Sequence, residues 1–159
     1  MSRAPLVRLD RQGGCVSLFA SNDRDQLRAA WRGAWQRHLA RLPLEPLQAQ
    51  LVALMEAHPE YHAALGLQAL QLAGADAQTE AGAQAFMHLS LHLALREQLG
   101  TDRPGGIRAL HARLAQRKGD PHEAEHAMIE VLARTLWDAQ RAGRAPDEAA
   151  YLEALRRLA

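Results

Sequence analysis

Eight histidines stand at positions 38, 58, 62, 88, 92, 111, 122 and 126, and six of them fall into pairs four residues apart. The pairs are His58/His62, His88/His92 and His122/His126. On an α-helix four residues advance by about 400°, so the paired side chains point about 40° apart on successive turns. Two imidazoles at that spacing meet one metal ion, or adjacent ions of a dinuclear centre.

Helical phase then decides which way the pairs face. His122, His126, Ile129, Ala133 and Leu136 share one stripe, with Met128 and Leu132 beside it, and His88, His92, Leu95 and Leu99 align in the same way. Both pairs are therefore predicted to face the core. A buried imidazole needs partners for both ring nitrogens. A backbone carbonyl satisfies one such residue readily; six in pairs demand something more.

Glu130 follows His126 by four residues and lies about 80° from His122, so it is predicted to extend the ligand row. Glu97 lies about 140° from His92 and about 180° from His88, on the far side of its helix. His58 and His62 are further candidate ligands, although Pro59 sets a kink between them because proline disfavours helical geometry in its predecessor. A histidine-rich set with one carboxylate suits zinc or iron first, then nickel or copper, and not magnesium or calcium, which favour oxygen ligands. His38 and His111 are unpaired on apolar stripes and are expected as core or supporting histidines.

Two sharper patterns carry less. His122-Glu123-Ala124-Glu125-His126 matches H-E-x-x-H, in which a glutamate serves a zinc protease as general base. The chain offers no strand to align a peptide, and Glu123 and Glu125 read as acids favouring the N-terminal end of a helix dipole. Trp31 and Trp35 follow the core period of their helix and are expected to pack rather than to bind a ligand. Cys15, the only cysteine, has no neighbouring base, and alone it forms neither a disulfide within the chain nor a cysteine-clustered zinc site.

The elements that must position these residues read as helices. Strong helix formers dominate and β-branched residues are scarce. Helices are predicted over about 23–42, stopped by Pro43; from about Pro46 to His58; over about 85–99; over about 107–117; and from Pro121 to about Arg141, with a short last helix capped by Asp147. Residues 66–84 are weakly patterned, with Gly74 to Gly82 reading as a loop or short helical excursion, and residues 1–20 read as a peripheral arm. The expectation is an all-α chain, a four-helix-bundle-like core with additional short helices, in one domain over 21–159.

Nineteen basic and eighteen acidic residues nearly cancel, so bulk electrostatics gives no reason to expect nucleic acid binding. No apolar stretch approaches the roughly 20 residues of a membrane span. With the opening MSRAPLVRLDRQGG lacking the apolar run of a signal peptide, a cytoplasmic protein is expected. A protein partner or small-molecule substrate stays open, as does a homodimer.

Four words can then be read together: HPEYH (58–62), FMHLSLHLALREQ (86–98), DRPGGIR (102–108) and HEAEHAMIEVLARTLWDAQ (122–140). Their order and content resemble a family of short proteobacterial proteins filed as a domain of unknown function, over about residues 18–157. The resemblance implies that the three histidine words belong to one module and implies no activity. Gln48 stands where a glutamate would be expected from that family, which removes one carboxylate and counts against a carboxylate-rich di-iron centre. At the level of fold alone, the arrangement resembles metal-dependent bundles of the bacillithiol-transferase-like or haemerythrin-like kind.

Two functional expectations follow. The first is a bundle that binds one or two transition-metal ions through His88, His92, His122 and His126, with His58, His62 and Glu130 as further ligands; the chemistry would be that of metal-bound water, thiol or oxygen. The second is a non-catalytic interaction module whose histidines form a buried network or a pH-sensitive contact.

Overall fold

The computed structural model describes residues 21–66 and 80–159, with side chains from residue 26. Among these residues the chain is all-α: α1 (Ser21–Leu39), α2 (Pro46–Ala57), a 3₁₀ turn (Pro59–Tyr61), α3 (Glu80–Thr101), α4 (Ile107–Lys118), α5 (Pro121–Ala142) and α6 (Glu148–Leu158). The arm expected over residues 1–20 lies outside the described residues, as does most of the excursion expected over residues 74–82. The part of that excursion from Glu80 onward is helical and opens α3, with Gly82 buried inside the helix rather than breaking it.

The backbone divides into two compact units between Ala53 and Leu54, within α2. In the first unit Trp31, Ala34 and Trp35 of α1 are buried, as are Leu51 and Val52 of α2. The tryptophans therefore occupy core positions, as their spacing predicted. α1 ends before Pro43 is reached. Arg41 takes a left-handed φ of 55°, and the Leu42 N–H turns back to the Arg37 carbonyl at 2.9 Å, the closing bond of a Schellman stop.

In the second unit α5 is the central helix, packed against α3, α4 and α6, while α4 also touches α3 and α6. Leu89, Leu95, Ile107, Met128 and Leu155 are almost wholly buried there. Each junction has local chemistry that fixes it. Asp120 caps α5 by accepting the His122 N–H at 2.7 Å, with Pro121 in the first turn where its missing donor costs nothing. Gly119 and Gly143 take the positive φ that closes α4 and α5. In the DRPGGIR turn the Asp102 carboxylate accepts the Arg108 N–H at 3.0 Å, which holds that carboxyl below its usual range. The Arg108 guanidinium donates to the Leu99 and Gly100 carbonyls at 3.0 and 2.9 Å, satisfying the exposed end of α3. These caps fix where α3 ends and α5 begins, and so the relative height of their histidines.

Candidate metal centre

His58 enters the site because α2 stops beneath it. Pro59 forces His58 out of helical geometry, to φ −127° and ψ 63°. Its N–H reaches the Met55 carbonyl at 3.2 Å, so the Leu54 carbonyl is left without the usual bond four residues on. The His58 ring supplies it: Nδ1–H donates to Leu54 O at 2.8 Å. A carbonyl only accepts, so the proton is on Nδ1 and Nε2 keeps a bare lone pair. His58 is 1% exposed.

His92, on α3, is fixed in the same sense from another direction. Its Nδ1 lies 3.1 Å from Glu125 Oε2 on α5, and Arg96 Nε donates to both oxygens of that carboxylate at 3.2 and 3.1 Å. Burial alone would raise the Glu125 carboxyl, but the His92 hydrogen bond and the Arg96 charge outweigh it and hold the group below its usual value. The ionised carboxylate accepts from Nδ1–H, so the lone pair of His92 is on Nε2. That atom is fully buried and has no hydrogen-bond partner among the described residues.

The remaining rings close around these two. His88 Nε2 and His126 Nε2 lie 3.1 and 3.2 Å from His58 Nε2. The centroids of His122 and His126 are 4.3 Å apart, and His92 and His122 stack at 5.0 Å with planes 7° apart. One ring nitrogen from each of His58, His92, His122 and His126 lies within 4.8 Å of those of the other three. His88 stands against the same group, its centroid 4.9 Å from both His58 and His92. His126 Nδ1 faces outward to Glu123 Oε1 at 3.4 Å, and His122 Nδ1 lies 3.8 Å from Glu125 Oε2.

The electrostatics disfavour charge on three of the clustered rings. Burial, reinforced by neighbouring imidazoles, pushes His88 down to about 4 and holds His58 and His122 below the usual histidine value, against the opposing pull of the Leu54 bond on His58 and of Glu125 on His122. Neutral imidazoles are the ligand form.

Of the residues singled out in the sequence, His58, His88, His92, His122 and His126 are brought together. His62 and Glu130 are not. His62 Nε2 is directed to the Met55 carbonyl at 2.6 Å, on the other side of the Pro59 kink, and Glu130 is exposed. Glu97 is exposed, as its phase predicted. His111 reaches the Pro121 carbonyl at 3.3 Å and His38 lies beside Trp35 with centroids 5.2 Å apart; neither is among the clustered rings. The reading of Glu125 as a helix-dipole acid needs correction: it is buried and ties α5 to α3. Its phase was the available signal. Glu125 lies about 60° from His122 on the side of Leu132, within the buried stripe. Arg96 was also missed, since its partner is 29 residues away.

Fold and site together define an all-α protein with a buried histidine cluster that has the dimensions of a metal centre. The chain matches the domain of unknown function DUF1841 over residues 23–157 and belongs to that family. No curated protein and no solved structure matches it.

Proposed function

We propose that this protein binds one divalent transition-metal ion through His58, His92, His122 and His126, with His88 beside them. The carrying observation is the pair of buried Nε2 lone pairs on His58 and His92, both fixed by acceptors on Nδ1 and both aimed into the cluster.

Protons alone satisfy this arrangement poorly. The His58 Nε2 lone pair accepts one good hydrogen bond, yet two imidazole nitrogens crowd it at 3.1 and 3.2 Å, and His92 Nε2 receives none. A single cation resolves both problems. With metal–nitrogen bonds of about 2.0–2.1 Å, two donors on one tetrahedral ion stand about 3.3 Å apart. The His58–His126 spacing of 3.2 Å is already near that figure, and the four ligand nitrogens lie within 4.8 Å of one another. The Glu125–His92 bond is the carboxylate–histidine support that metal-ligating imidazoles usually have, orienting the ring and raising its basicity. Neutral nitrogen donors favour zinc and iron(II), with nickel and copper next, over magnesium or calcium.

The test is metal content and metal-linked stability in protein purified without a histidine tag. Near-stoichiometric metal is expected, with a chelator-sensitive melting temperature; ion at some hundredfold its Kd stabilises a native state by about 3 kcal/mol. Substoichiometric metal together with identical melting in chelator would leave the structural histidine network as the better reading.

A further inference from the structure

The four candidate ligands come from three elements that stand far apart in the chain. His58 lies just past α2, His92 on α3, and His122 and His126 on α5, the first and last separated by 68 positions. We infer that the ion is structural: a closed tetrahedral shell that fastens the end of α2 to α3 and α5 and keeps no coordination position for a substrate. This inference rests on the metal-binding reading above and assigns the ion its role.

Two observations carry the closed shell. The first is the donor count. One ring nitrogen from each of four histidines lies within 4.8 Å of the others, which fills a tetrahedral ion with protein ligands alone. Structural zinc sites have four protein ligands, whereas catalytic ones have three and a water or substrate in the fourth position. The second is what surrounds the donors. His58 and His92 are 1% and 0% exposed. The His88 ring lies 4.9 Å from both, and the Tyr61 ring stacks on His58 at 5.7 Å with planes 15° apart. A hydrolytic centre also needs a base for its water. The carboxylates of Glu125 and Glu123 are engaged by ring nitrogens instead, Glu125 by His92 together with Arg96, and Glu123 by His126 at 3.4 Å.

The fastening follows from the backbone around His58. Helices α3 to α6 pack on one another around Leu89, Leu95, Ile107, Met128 and Leu155. The Pro59 turn that carries His58 is held by short local bonds. The His58, Tyr61 and His62 N–H groups reach the Met55, His58 and Pro59 carbonyls at 3.2, 3.1 and 3.2 Å. Toward the other helices it presents an imidazole, with His58 Nε2 3.1 Å from that of His88 on α3 and 3.2 Å from that of His126 on α5. An ion shared by His58, His92, His122 and His126 turns this crowded junction into a cross-link. Links that close long loops restrict the unfolded chain most.

Cobalt(II) is the probe ion, on the full chain purified without a histidine tag, and azide is the probe for an open position. Visible absorption reports the geometry, since tetrahedral cobalt(II) absorbs far more strongly than octahedral. The wild type is expected to show the strong tetrahedral spectrum, unchanged by azide. Removing the ion with chelator is expected to speed hydrogen exchange at the His58, Tyr61 and His62 amides by about tenfold or more, through local opening. Amides of α4, which carries no ligand, should keep their rates. His58→Ala opens the shell, so cobalt affinity should fall by about 100-fold or more, beyond the loss of a mere orienting partner. The cobalt it still binds should become sensitive to azide.

The wild-type measurements decide the matter even where that variant does not fold. An azide-dependent wild-type spectrum means an open position, which overturns the structural role and leaves the metal site standing. Equal exchange at the Pro59 turn with and without the ion overturns the fastening, as does a folded His58→Ala whose bound cobalt ignores azide. If cobalt does not bind the wild type, the metal reading itself fails.

Discussion

His92 Nδ1 and Glu125 Oε2 meet at 3.1 Å between α3 and α5, two helices whose contacting residues are 33 apart in sequence. That bond links the fold to the proposed chemistry: it ties the central helix to its neighbour and sets which nitrogen of a fully buried imidazole carries the lone pair. Because Arg96 holds the same carboxylate, the charge on Glu125 is retained despite burial.

Replacing Glu125 should separate this role from that of an ordinary acidic residue. Glu125→Gln keeps the shape but removes the charge that polarises His92, and metal affinity should fall about 10–100-fold. Glu125→Ala should also destabilise the chelated protein by about 1–3 kcal/mol, since His92 Nδ1 and Arg96 lose a buried acceptor. Glu130→Gln, at an exposed position of the same helix, should change neither quantity. Competition against a chromophoric chelator and urea melts measure both. Equal losses at positions 125 and 130 would refute the assignment.

The start of α5 makes a separate prediction about positioning. Asp120 accepts the His122 N–H at 2.7 Å, so the cap and a proposed ligand share one residue. Asp120→Ala should cost about 1 kcal/mol through the lost cap. Fraying of the first turn then moves His122 before it moves His126, and the metal off-rate should rise. A denaturant midpoint that is unchanged, with an unchanged off-rate, would show that the cap is dispensable.

Acid should destabilise the chelated protein in a defined window. His58, His88 and His122 are held below the ordinary histidine value of 6.5, His88 at about 4, chiefly by burial. Between those values the unfolded chain binds more protons than the native chain, so native stability rises with pH there. The full contribution is present above about pH 6.5 and is lost as pH falls toward about 4. Glu125, held below its usual range, protonates later than an ordinary glutamate and does not set the upper edge. Melts in chelator across this range should show a falling midpoint with a first break near the upper value; a flat profile would contradict neutral burial of these rings.

How much of this was readable from residues alone depended on range. The phase of His88/His92 and His122/His126 against Leu95, Leu99, Ile129 and Leu136 gave two inward pairs, because periodicity is local information. Glu125 has a phase as informative as theirs, but its place near a helix start offers a competing electrostatic explanation, and only the 33-residue contact to His92 decides between them. Arg96 carried no local signal at all. Gly82 reads as a breaker by intrinsic preference, yet it is buried within α3, where tertiary packing overrides a propensity difference of about 1 kcal/mol. The Pro59 kink was legible as a break; that it turns His58 into the cluster and His62 away was not, because that outcome depends on which backbone carbonyl each ring finds.

That kink supports a last prediction. In the native chain Pro59 keeps His58 non-helical, the Leu54 carbonyl goes to the imidazole, and Nε2 is left as a donor to the ion. Pro59→Ala removes the clash that excludes helical geometry at His58. α2 can then run on, the His58 N–H can take the Leu54 carbonyl, and the ring loses the acceptor that fixed its tautomer. Helix content should rise slightly by circular dichroism, since alanine is the best helix former and proline the worst. Metal affinity should fall by about tenfold or more, as expected when an orienting contact to a ligand imidazole is lost. The two readouts move in opposite directions, which general destabilisation does not produce. Unchanged affinity alongside increased helicity would mean that His58 reaches the cluster without the proline, and that the break in α2 serves something other than the metal.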